Sequence, residues 1–292
     1  MLNGSEYFMC NLSVITVNFN NSNGLKKTIE SVLSQKLILQ DSVEYLIIDG
    51  GSSDDSVEVI KEFSNRTDLH LRITDWISEK DKGIYNAMNK GIGMSHGKYV
   101  IFMNSGDVFY SENILESVLK KIENAGNSIL YGDTFYDKPD NQGSFWYLPD
   151  ELTLNYLCEY GICHQSTFIP LKLLKKNLYD ESLFIAADLK FNIQSYLSGI
   201  AFEKMNIVVS SLDMTGISNT NIERSAKERE LIVSSLVPLG IINEMKKNKE
   251  ETLSIWINYY KSLIRNRTCY TMALFMIKIV NKIGKIFHFL HD

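Results

Sequence analysis

A regular alternation of short apolar segments and helical patterns between residues 12 and 122 constrains the fold of this chain more than any other feature. Residues 99–103 are five consecutive apolar residues, which indicates a strand buried on both faces. Residues 25–35 place their apolar side chains at helical spacing instead. Strands that alternate with helices at this pitch form βαβ units, so the sequence predicts an α/β fold with a mostly parallel sheet flanked by helices. The predicted strands are 12–17, 45–48, 69–76 and 98–103, and the predicted helices are 25–35, 56–63, 84–94 and 113–122.

The pattern is less regular beyond residue 128. Helical spacing returns at 171–176 and 187–197, and a strand region is predicted at 202–212. After residue 221 the composition shifts to long helical patterns rich in Lys and Glu. We therefore expect one domain at about 10–220, followed by a helical extension at 221–292.

Composition narrows the possible functions. A net charge of -5 in 292 residues argues against a general nucleic-acid binder, which would show an excess of basic residues. The four cysteines form no CxxC pair, so reduced thiols in the cytoplasm are the expectation. The first ten residues do not resemble a signal peptide, and no apolar run approaches the roughly 20 residues that span a bilayer.

Polar side chains follow three of the predicted strands where each strand ends. Thr16 and Asn18 close the first strand, Asp49 closes the second, and Asn104 and Asp107 follow the fourth. The carboxyl ends of parallel strands meet at one edge of a sheet, where ligands bind. A carboxylate on a tight turn at that edge suits Mg²⁺ or Mn²⁺ held against a diphosphate. The simpler alternative is that each carboxylate only forms a turn or caps the helix that follows.

Five motifs occur in a fixed order along the chain: ITVNFN at 15–20, LIIDGGSSD at 46–54, SEKDKGIYNAMNKG at 78–91, NSGD at 104–107, and HQ at 164–165 followed by AD at 187–188. In this order they resemble the motifs of family 2 glycosyltransferases of the colanic-acid and O-antigen type. The resemblance covers about residues 12–218. It implies the GT-A fold, which is Rossmann-like with a mixed, mostly parallel central sheet, and a C-terminal helical extension.

The resemblance also implies a role for individual residues. It assigns the general base to Asp188, contacts with the nucleotide sugar to Thr16, Asn18, Asp49, Asp81, Asn89 and Asn104, acceptor contacts to His164 and Gln165, and a divalent cation, Mg²⁺ or Mn²⁺, to Asp107.

The chain departs from the family pattern at four places. Gly50 stands where the commoner signature has a second Asp, Met88 where many relatives have Arg, and Ala187 where a Glu often precedes the base. Asn and Gly replace two acidic positions of the metal motif, so Asp107 is its only carboxylate. Fewer charged ligands weaken the hold on an ion, and the donor diphosphate would supply the remaining coordination.

The chemistry of sugar transfer explains why these residue types are needed. The departing nucleotide diphosphate gains negative charge, which a divalent cation can neutralise. The acceptor hydroxyl loses a proton as the new bond forms, and a carboxylate within hydrogen-bond reach serves as general base. Inversion at the anomeric carbon is implied by the resemblance alone.

Each assigned residue also has a purely structural interpretation. Asp188 could cap the helix at 189–197, and His164 could be a structural imidazole. Asp81 could be a solvated surface charge, and Tyr85 and Asn89, four residues apart on one helix face, could be packing residues.

The C-terminal segment is basic and amphipathic. Between Thr252 and His291 there is no Asp or Glu, and residues 273–290 place basic and apolar side chains on different faces of a helix. Such a helix suits the interface of an anionic bilayer, which would put the enzyme on the inner face of the cytoplasmic membrane. The alternative is that it packs on the catalytic domain or on a second subunit.

The sequence as a whole predicts an inverting transferase acting in bacterial surface polysaccharide synthesis. It would move a hexose or N-acetylhexosamine from a nucleotide sugar, UDP-linked, to a saccharide on a polyprenyl diphosphate carrier. Two alternatives stay open: a catalytically inactive scaffold that binds sugar nucleotides, and a sugar-nucleotide pyrophosphorylase. The second would need a Gly-rich loop with Arg or Lys near the N-terminus, and residues 18–24 lack those cations.

Overall fold

The structure is a computed structural model that describes residues 10–37, 42–66, 71–137, 143–214 and 221–265, with side chains as far as residue 255. The strands are β1 Leu12–Asn18, β2 Val43–Asp49, β3 Asp75–Ser78, β4 Tyr99–Phe102, β5 Val108–Phe109, β6 Ile129–Asp137, β7 Ser144–Trp146, β8 Thr167–Pro170 and β9 Phe202–Asp213. The helices are α1 Ser22–Leu33, α2 Ser56–Ser64, α3 Ile84–Met94, α4 Ile114–Ile122, α5 Leu154–Glu159, α6 Leu171–Lys176, α7 Ala187–Leu197, α8 Ile222–Leu236 and α9 Leu239–Arg265. A short 3₁₀ turn, His164–Ser166, precedes β8.

The nine strands of the described residues form one mixed sheet. Its order is β3-β2-β1-β4-β8-β6-β9-β5, and β7 lies beside β6. The strands β1 to β4, β6 and β9 run in one direction, and the remaining three run against them. The prediction of an α/β fold with a mostly parallel central sheet and C-terminal helices is therefore confirmed.

The central strands are apolar on both faces because each face is covered by helices. Leu12 and Val14 of β1 lie in one core cluster with residues of α1, α2 and α4. Ile15 and Val17 point to the opposite face, where they join a cluster with residues of α3 and α6. Successive side chains of a strand alternate between faces, so burial on both sides produces the continuous apolar runs seen in the sequence.

The third strand begins later than the apolar pattern predicts. Of the predicted segment 69–76, residues 67–70 lie outside the described part of the chain, and β3 covers Asp75–Ser78. Leu71 is buried in the core without belonging to a strand. The strand β3 lies at the edge of the sheet with partly exposed side chains, so its own apolar signal is weak.

The chain divides into two compact units, one ending at Leu236 and the other beginning at Val237. Helix α8 belongs to the first unit, together with the sheet. Helix α9 belongs to the second unit and continues to Arg265. Among the described residues, no helix combines the length and the apolar character that crossing a bilayer requires. The amphipathic segment predicted at 273–290 lies outside the described residues.

One glycine of α3 allows this helix to approach the sheet closely. A Cβ atom added to Gly91 would lie 2.7 Å from Cγ2 of Ile15 in β1, whereas a Cβ atom at Gly93 would have no neighbour within 4 Å. Both positions would gain the same helix propensity from alanine. We therefore expect Gly91→Ala to be less stable than Gly93→Ala by about 1–3 kcal/mol, because only the first overpacks the core. Urea unfolding of the two variants measures the difference, and equal stabilities would contradict the close packing.

Candidate active site

The site is built at the edge where β1, β2 and β4 end. Asn18 at the end of β1 is in register with Asp49 at the end of β2, and Asp49 is in register with Ser78 at the end of β3. The turn that follows β4 is tied to the same edge, because the Ser105 N–H donates to the Val17 carbonyl. The strand register therefore places the predicted polar residues on one edge of the sheet.

Asp49 is fully buried and accepts four hydrogen bonds. Its Oδ1 accepts from Nδ2 of Asn18 at 2.7 Å and from the Ser52 hydroxyl at 2.6 Å. Its Oδ2 accepts from the Ser52 N–H at 3.0 Å and from the Ser78 hydroxyl at 2.6 Å. Burial alone would raise the pKa of Asp49, but these donors outweigh it and hold the pKa below its ordinary value. Asp49 is thus a buried, ionised anchor for three strand ends.

The carboxylate of Asp81 packs against the turn that follows β2. A Cβ atom added to Gly50 would lie 2.3 Å from Oδ2 of Asp81, so the end of the Asp81 side chain would have to move to admit a larger residue at position 50. The other oxygen of Asp81 accepts from the Gly83 N–H at 3.0 Å. The Asp81 carboxylate therefore lies against Gly50, the residue that follows Asp49.

The turn at residues 104–107 is closed by the Asp107 N–H, which donates to the Asn104 carbonyl at 3.0 Å. Gly106 has a φ of 107°, a conformation that favours glycine. Thr28 of α1 binds the backbone of this turn. Its hydroxyl donates to the Asp107 carbonyl at 2.7 Å and accepts from the Gly106 N–H at 2.9 Å. The helix that packs beneath the turn therefore fixes its shape.

Asp107 is buried and accepts two hydrogen bonds. Its Oδ2 accepts from Nε2 of Gln165 at 2.7 Å, and its Oδ1 accepts from the Asp213 N–H at 3.0 Å. Burial outweighs these two donors, and the nearby Asp213 carboxylate adds to its effect, so the pKa of Asp107 rises to about 6. The nearby His164 ring lowers the pKa of Asp107, but not enough to offset burial.

Asp213 is a site residue that the sequence reasoning missed. It ends β9, and a Cβ atom added to Gly106 would lie 3.4 Å from its Oδ2, so it borders the turn at 104–107. The sequence signal that could have identified it is the one that identified Asp49 and Asp107, a carboxylate at the end of a strand. It was overlooked because β9 lies in the irregular part of the sequence pattern.

Asp188 lies across His164 from the turn. Nδ1 of His164 is 2.9 Å from Oδ2 of Asp188, and its Nε2 is 2.8 Å from Nδ2 of Asn104. With the Asn104 amide as donor, the neutral ring carries its proton on Nδ1 and donates it to Asp188. The Tyr85 hydroxyl lies 3.2 Å from the other oxygen of Asp188 and donates to the Ile185 carbonyl. Asp188 is therefore oriented from both sides.

Asp188 is not the N-cap residue of α7, but its Oδ1 accepts from the Leu189 N–H at 2.8 Å in the first turn. The helix begins at Ala187 with Ala186 as its N-cap residue, which makes no side-chain capping bond. Asp188 sits in the first turn, and the exposed fractions of the His164 and Asp188 side chains are 14% and 19%. Both groups therefore reach the surface at this edge, where a ligand could contact them.

Two of the predicted residues make contacts within the protein. Thr16 is fully buried, with its hydroxyl 2.9 Å from the Tyr45 hydroxyl. Asn89 donates to the Tyr179 carbonyl and to Glu181, and so holds the segment before α7. In this structure both residues support the walls of the site.

The oxygen atoms around the turn at 104–107 fit a hard divalent cation. Three or more His, Cys, Asp or Glu side chains do not gather into a metal cluster anywhere in the described residues. Asp107 and Asp213 are nevertheless two neighbouring carboxylates, and Oδ1 of Asn104 is buried without a hydrogen-bond partner among the described residues. Such a partial set suits Mg²⁺ or Mn²⁺ when the ligand supplies further oxygens.

Comparison with known proteins gives a consistent result. Residues 13–196 match the family model of Glycosyl transferase family 2. An uncharacterised glycosyltransferase of Mycobacterium tuberculosis is 30% identical over 215 residues, which cover 71% of this chain and 77% of that protein. The PGL/p-HBAD biosynthesis glycosyltransferase of Mycobacterium bovis is 27% identical over 190 residues, covering 64% and 72% of the two chains.

Solved structures share the fold. TarS 1-349 of S. aureus in complex with UDP matches with a TM-score of 0.56 at 17% identity over 70% of this chain and 60% of that one. The mannosyltransferase PcManGT of Pyrobaculum calidifontis, in complex with GDP-Man and Mn²⁺, matches with a TM-score of 0.54 at 13% identity, over 69% and 56%. The alignments thus span less than two thirds of either solved chain, and they show the GT-A fold. Because the family model spans more than half of the sequence, this chain belongs to glycosyl transferase family 2.

Proposed function

We propose that this glycosyltransferase moves a hexose or N-acetylhexosamine, with inversion, from a UDP-linked sugar to a hydroxyl of a lipid-linked saccharide in bacterial surface polysaccharide synthesis. The observation that carries the proposal is the placement of Asp188. Its carboxylate is partly exposed, oriented by His164 and Tyr85, and joined through His164 to the turn that holds Asp107. A base for the acceptor and a site for the diphosphate thus lie on the two sides of one imidazole.

The nucleotide would bind beside Asp49 and Asp81. Oδ1 of Asn18 is buried without a partner among the described residues, which leaves an acceptor for an N–H group of the nucleobase. Complexes of the structural neighbours with UDP, UDP-GlcNAc and GDP-Man support a nucleotide sugar as the donor class.

The reaction is a direct displacement at the anomeric carbon. The acceptor hydroxyl transfers its proton to the Asp188 carboxylate while its oxygen bonds to the carbon and the bond to the diphosphate breaks. His164 donates to Asp188 and keeps one oxygen of the carboxylate oriented, and Gln165 does the same for Asp107. A bound Mg²⁺ or Mn²⁺, held by Asp107 with Asp213 and Asn104, would neutralise the charge of the leaving diphosphate.

Replacing the base tests the proposal against the inactive-scaffold alternative. Asp188→Asn should lower kcat for transfer by about 10²–10⁴-fold, because it removes the proton acceptor. UDP affinity should be unchanged, because the Asp188 carboxylate contacts His164, Tyr85 and the Leu189 N–H rather than Asp49 or Asp81. The measurement is transfer from UDP-sugars to a lipid diphosphate-linked acceptor, detected by mass spectrometry.

The control for this experiment is Asp150→Asn, which changes a carboxylate that is 92% exposed and pairs with Lys204. It should retain wild-type turnover. Equal turnover of Asp188→Asn and Asp150→Asn would reject Asp188 as the base. UDP binding without turnover on any acceptor by the wild-type protein would favour the scaffold.

The raised pKa of Asp107 predicts a specific pH dependence of stability in metal-free protein. Between pH 4 and pH 6 the unfolded chain loses this proton while the folded chain keeps it, so the carboxylate costs stability as the pH rises. Relative to wild type, Asp107→Asn should therefore gain up to about 3 kcal/mol in free energy of unfolding over this range and no more above it. Urea unfolding in chelator at several pH values measures the difference. A difference in free energy of unfolding that is constant with pH would contradict the raised pKa of Asp107.

The basic C-terminal segment predicts association with anionic membranes. The full chain should sediment with vesicles that contain anionic lipid and should be released by salt, because the attraction is electrostatic. Deleting residues 268–292 should abolish sedimentation, and neutral vesicles serve as the control. Unchanged sedimentation of the truncated chain would reject the membrane role of this segment and favour packing on the catalytic domain or on a second subunit.

A further inference from the structure

We infer that Glu228 is a positioning residue for the transfer reaction: from helix α8 its carboxylate holds the loop at residues 184–186 that leads into the proposed base. The inference rests on the proposed role of Asp188. Glu228 lies beyond the segment that matches the family model, which ends at residue 196.

The Glu228 carboxylate accepts hydrogen bonds from three consecutive backbone N–H groups. The Phe184 N–H lies 3.0 Å from Oε1, and the N–H groups of Ile185 and Ala186 lie 2.9 and 3.1 Å from Oε2. The exposed fraction of Glu228 is only 8%. Three backbone donors on one buried carboxylate fix both the direction and the position of this loop.

These three bonds fix the backbone that leads into α7. The donors end at Ala186, the N-cap residue, which makes no side-chain capping bond, and the acceptor is a glutamate 42 residues later in the chain. Within the first turn of the helix, Oδ1 of Asp188 accepts from the Leu189 N–H at 2.8 Å. The approach to the helix that carries Asp188 thus depends on a tertiary contact.

Hydrogen-bond donors around Glu228 keep its buried carboxylate ionised. Burial would raise its pKa, but the backbone donors and the side chain of Arg224 outweigh that effect and lower the pKa below its ordinary value. Nε of Arg224 lies 3.3 Å from Oε1, and its guanidinium carbon lies 3.9 Å from the centre of the Phe184 ring. Arg224 therefore connects the carboxylate to the loop a second time.

The loop at residues 184–186 is connected to Asp188 both through the chain and through the Tyr85 hydroxyl. The Ile185 N–H donates to Glu228, while its carbonyl accepts from the Tyr85 hydroxyl, which also contacts Asp188. Only one residue, Ala187, separates Ala186 from Asp188. A shift of about 1 Å in such a support costs on the order of 10²-fold in rate, because reacting groups must be held in line.

The test is Glu228→Gln, with Glu230→Gln as the matched control on the exposed side of the same helix. Gln keeps the size of Glu228 but turns an amide toward the N–H groups of the loop. The variant should lower kcat for transfer by about 10-fold or more and leave KM for the donor unchanged. Hydrogen exchange at the amides of 184–186 should accelerate. Glu230→Gln should change none of these quantities.

A double-mutant cycle separates positioning from general stability. In an Asp188→Asn background, Glu228→Gln should lower kcat no further, because its effect acts through the base. An equal loss in both backgrounds, or a wild-type kcat for Glu228→Gln, would overturn the inference. If Glu228→Gln does not fold, Glu228→Asp keeps the charge, shortens the reach, and should show a smaller loss of kcat with the same dependence on Asp188.

The two proposals can fail separately. If Asp188→Asn alone keeps full turnover, the proposed base is wrong whatever Glu228 does. If Asp188→Asn is inactive but Glu228→Gln has wild-type kcat and wild-type exchange at 184–186, only the positioning role is wrong.

Discussion

Two adjacent side chains, His164 and Gln165, connect the halves of the site. The short 3₁₀ turn that carries them directs His164 to Asp188 and Asn104, and directs Gln165 to Asp107. The separation of the proposed base from the proposed diphosphate site is therefore set by one dipeptide, which is itself anchored to β8. Any movement of this turn would disturb a hydrogen bond to each of the two carboxylates.

The two buried carboxylates at the sheet edge differ in how their charge is balanced. Asp49 accepts four hydrogen bonds, which lower its pKa in spite of burial. Asp107 accepts only two, so burial raises its pKa, and the nearby Asp213 carboxylate adds to this effect. The same residue type thus acts as a satisfied structural anion at one position and as an under-compensated anion at the other. This contrast supports Asp107 as the place where a cation binds.

Periodicity and motif order predicted most of the fold but only part of the site. The helices at 84–94 and 187–197 were predicted with the bounds of α3 and α7, because both are long segments with recurring apolar residues and no proline. The edge strand β3 was placed too early, because the nearby Leu71 is buried without belonging to a strand. For site residues, a position near the end of a strand is not a sufficient signal. Thr16 lies two positions before the end of β1, and its side chain is on the face that packs against Tyr45.

The contacts that could not be predicted join residues far apart in the chain. Asp213 reaches Asp107 from 106 positions away, and Tyr85 reaches Asp188 from 103 positions away. A single sequence contains no signal for which strand end or helix will meet another at such distances. These contacts follow from the packing of β9 and α3, which only the assembled sheet defines.

The most direct test of the account is a crystal structure of the protein with UDP and Mn²⁺. We expect the nucleobase of UDP beside Asp49 and Asp81, and the cation on the carboxylate of Asp107. The diphosphate should lie over the turn at 104–107, and Asp188 should face the space where an acceptor would bind. A nucleotide bound away from this edge, or an Asp107 carboxylate still held only by Gln165 and the Asp213 N–H, would contradict it.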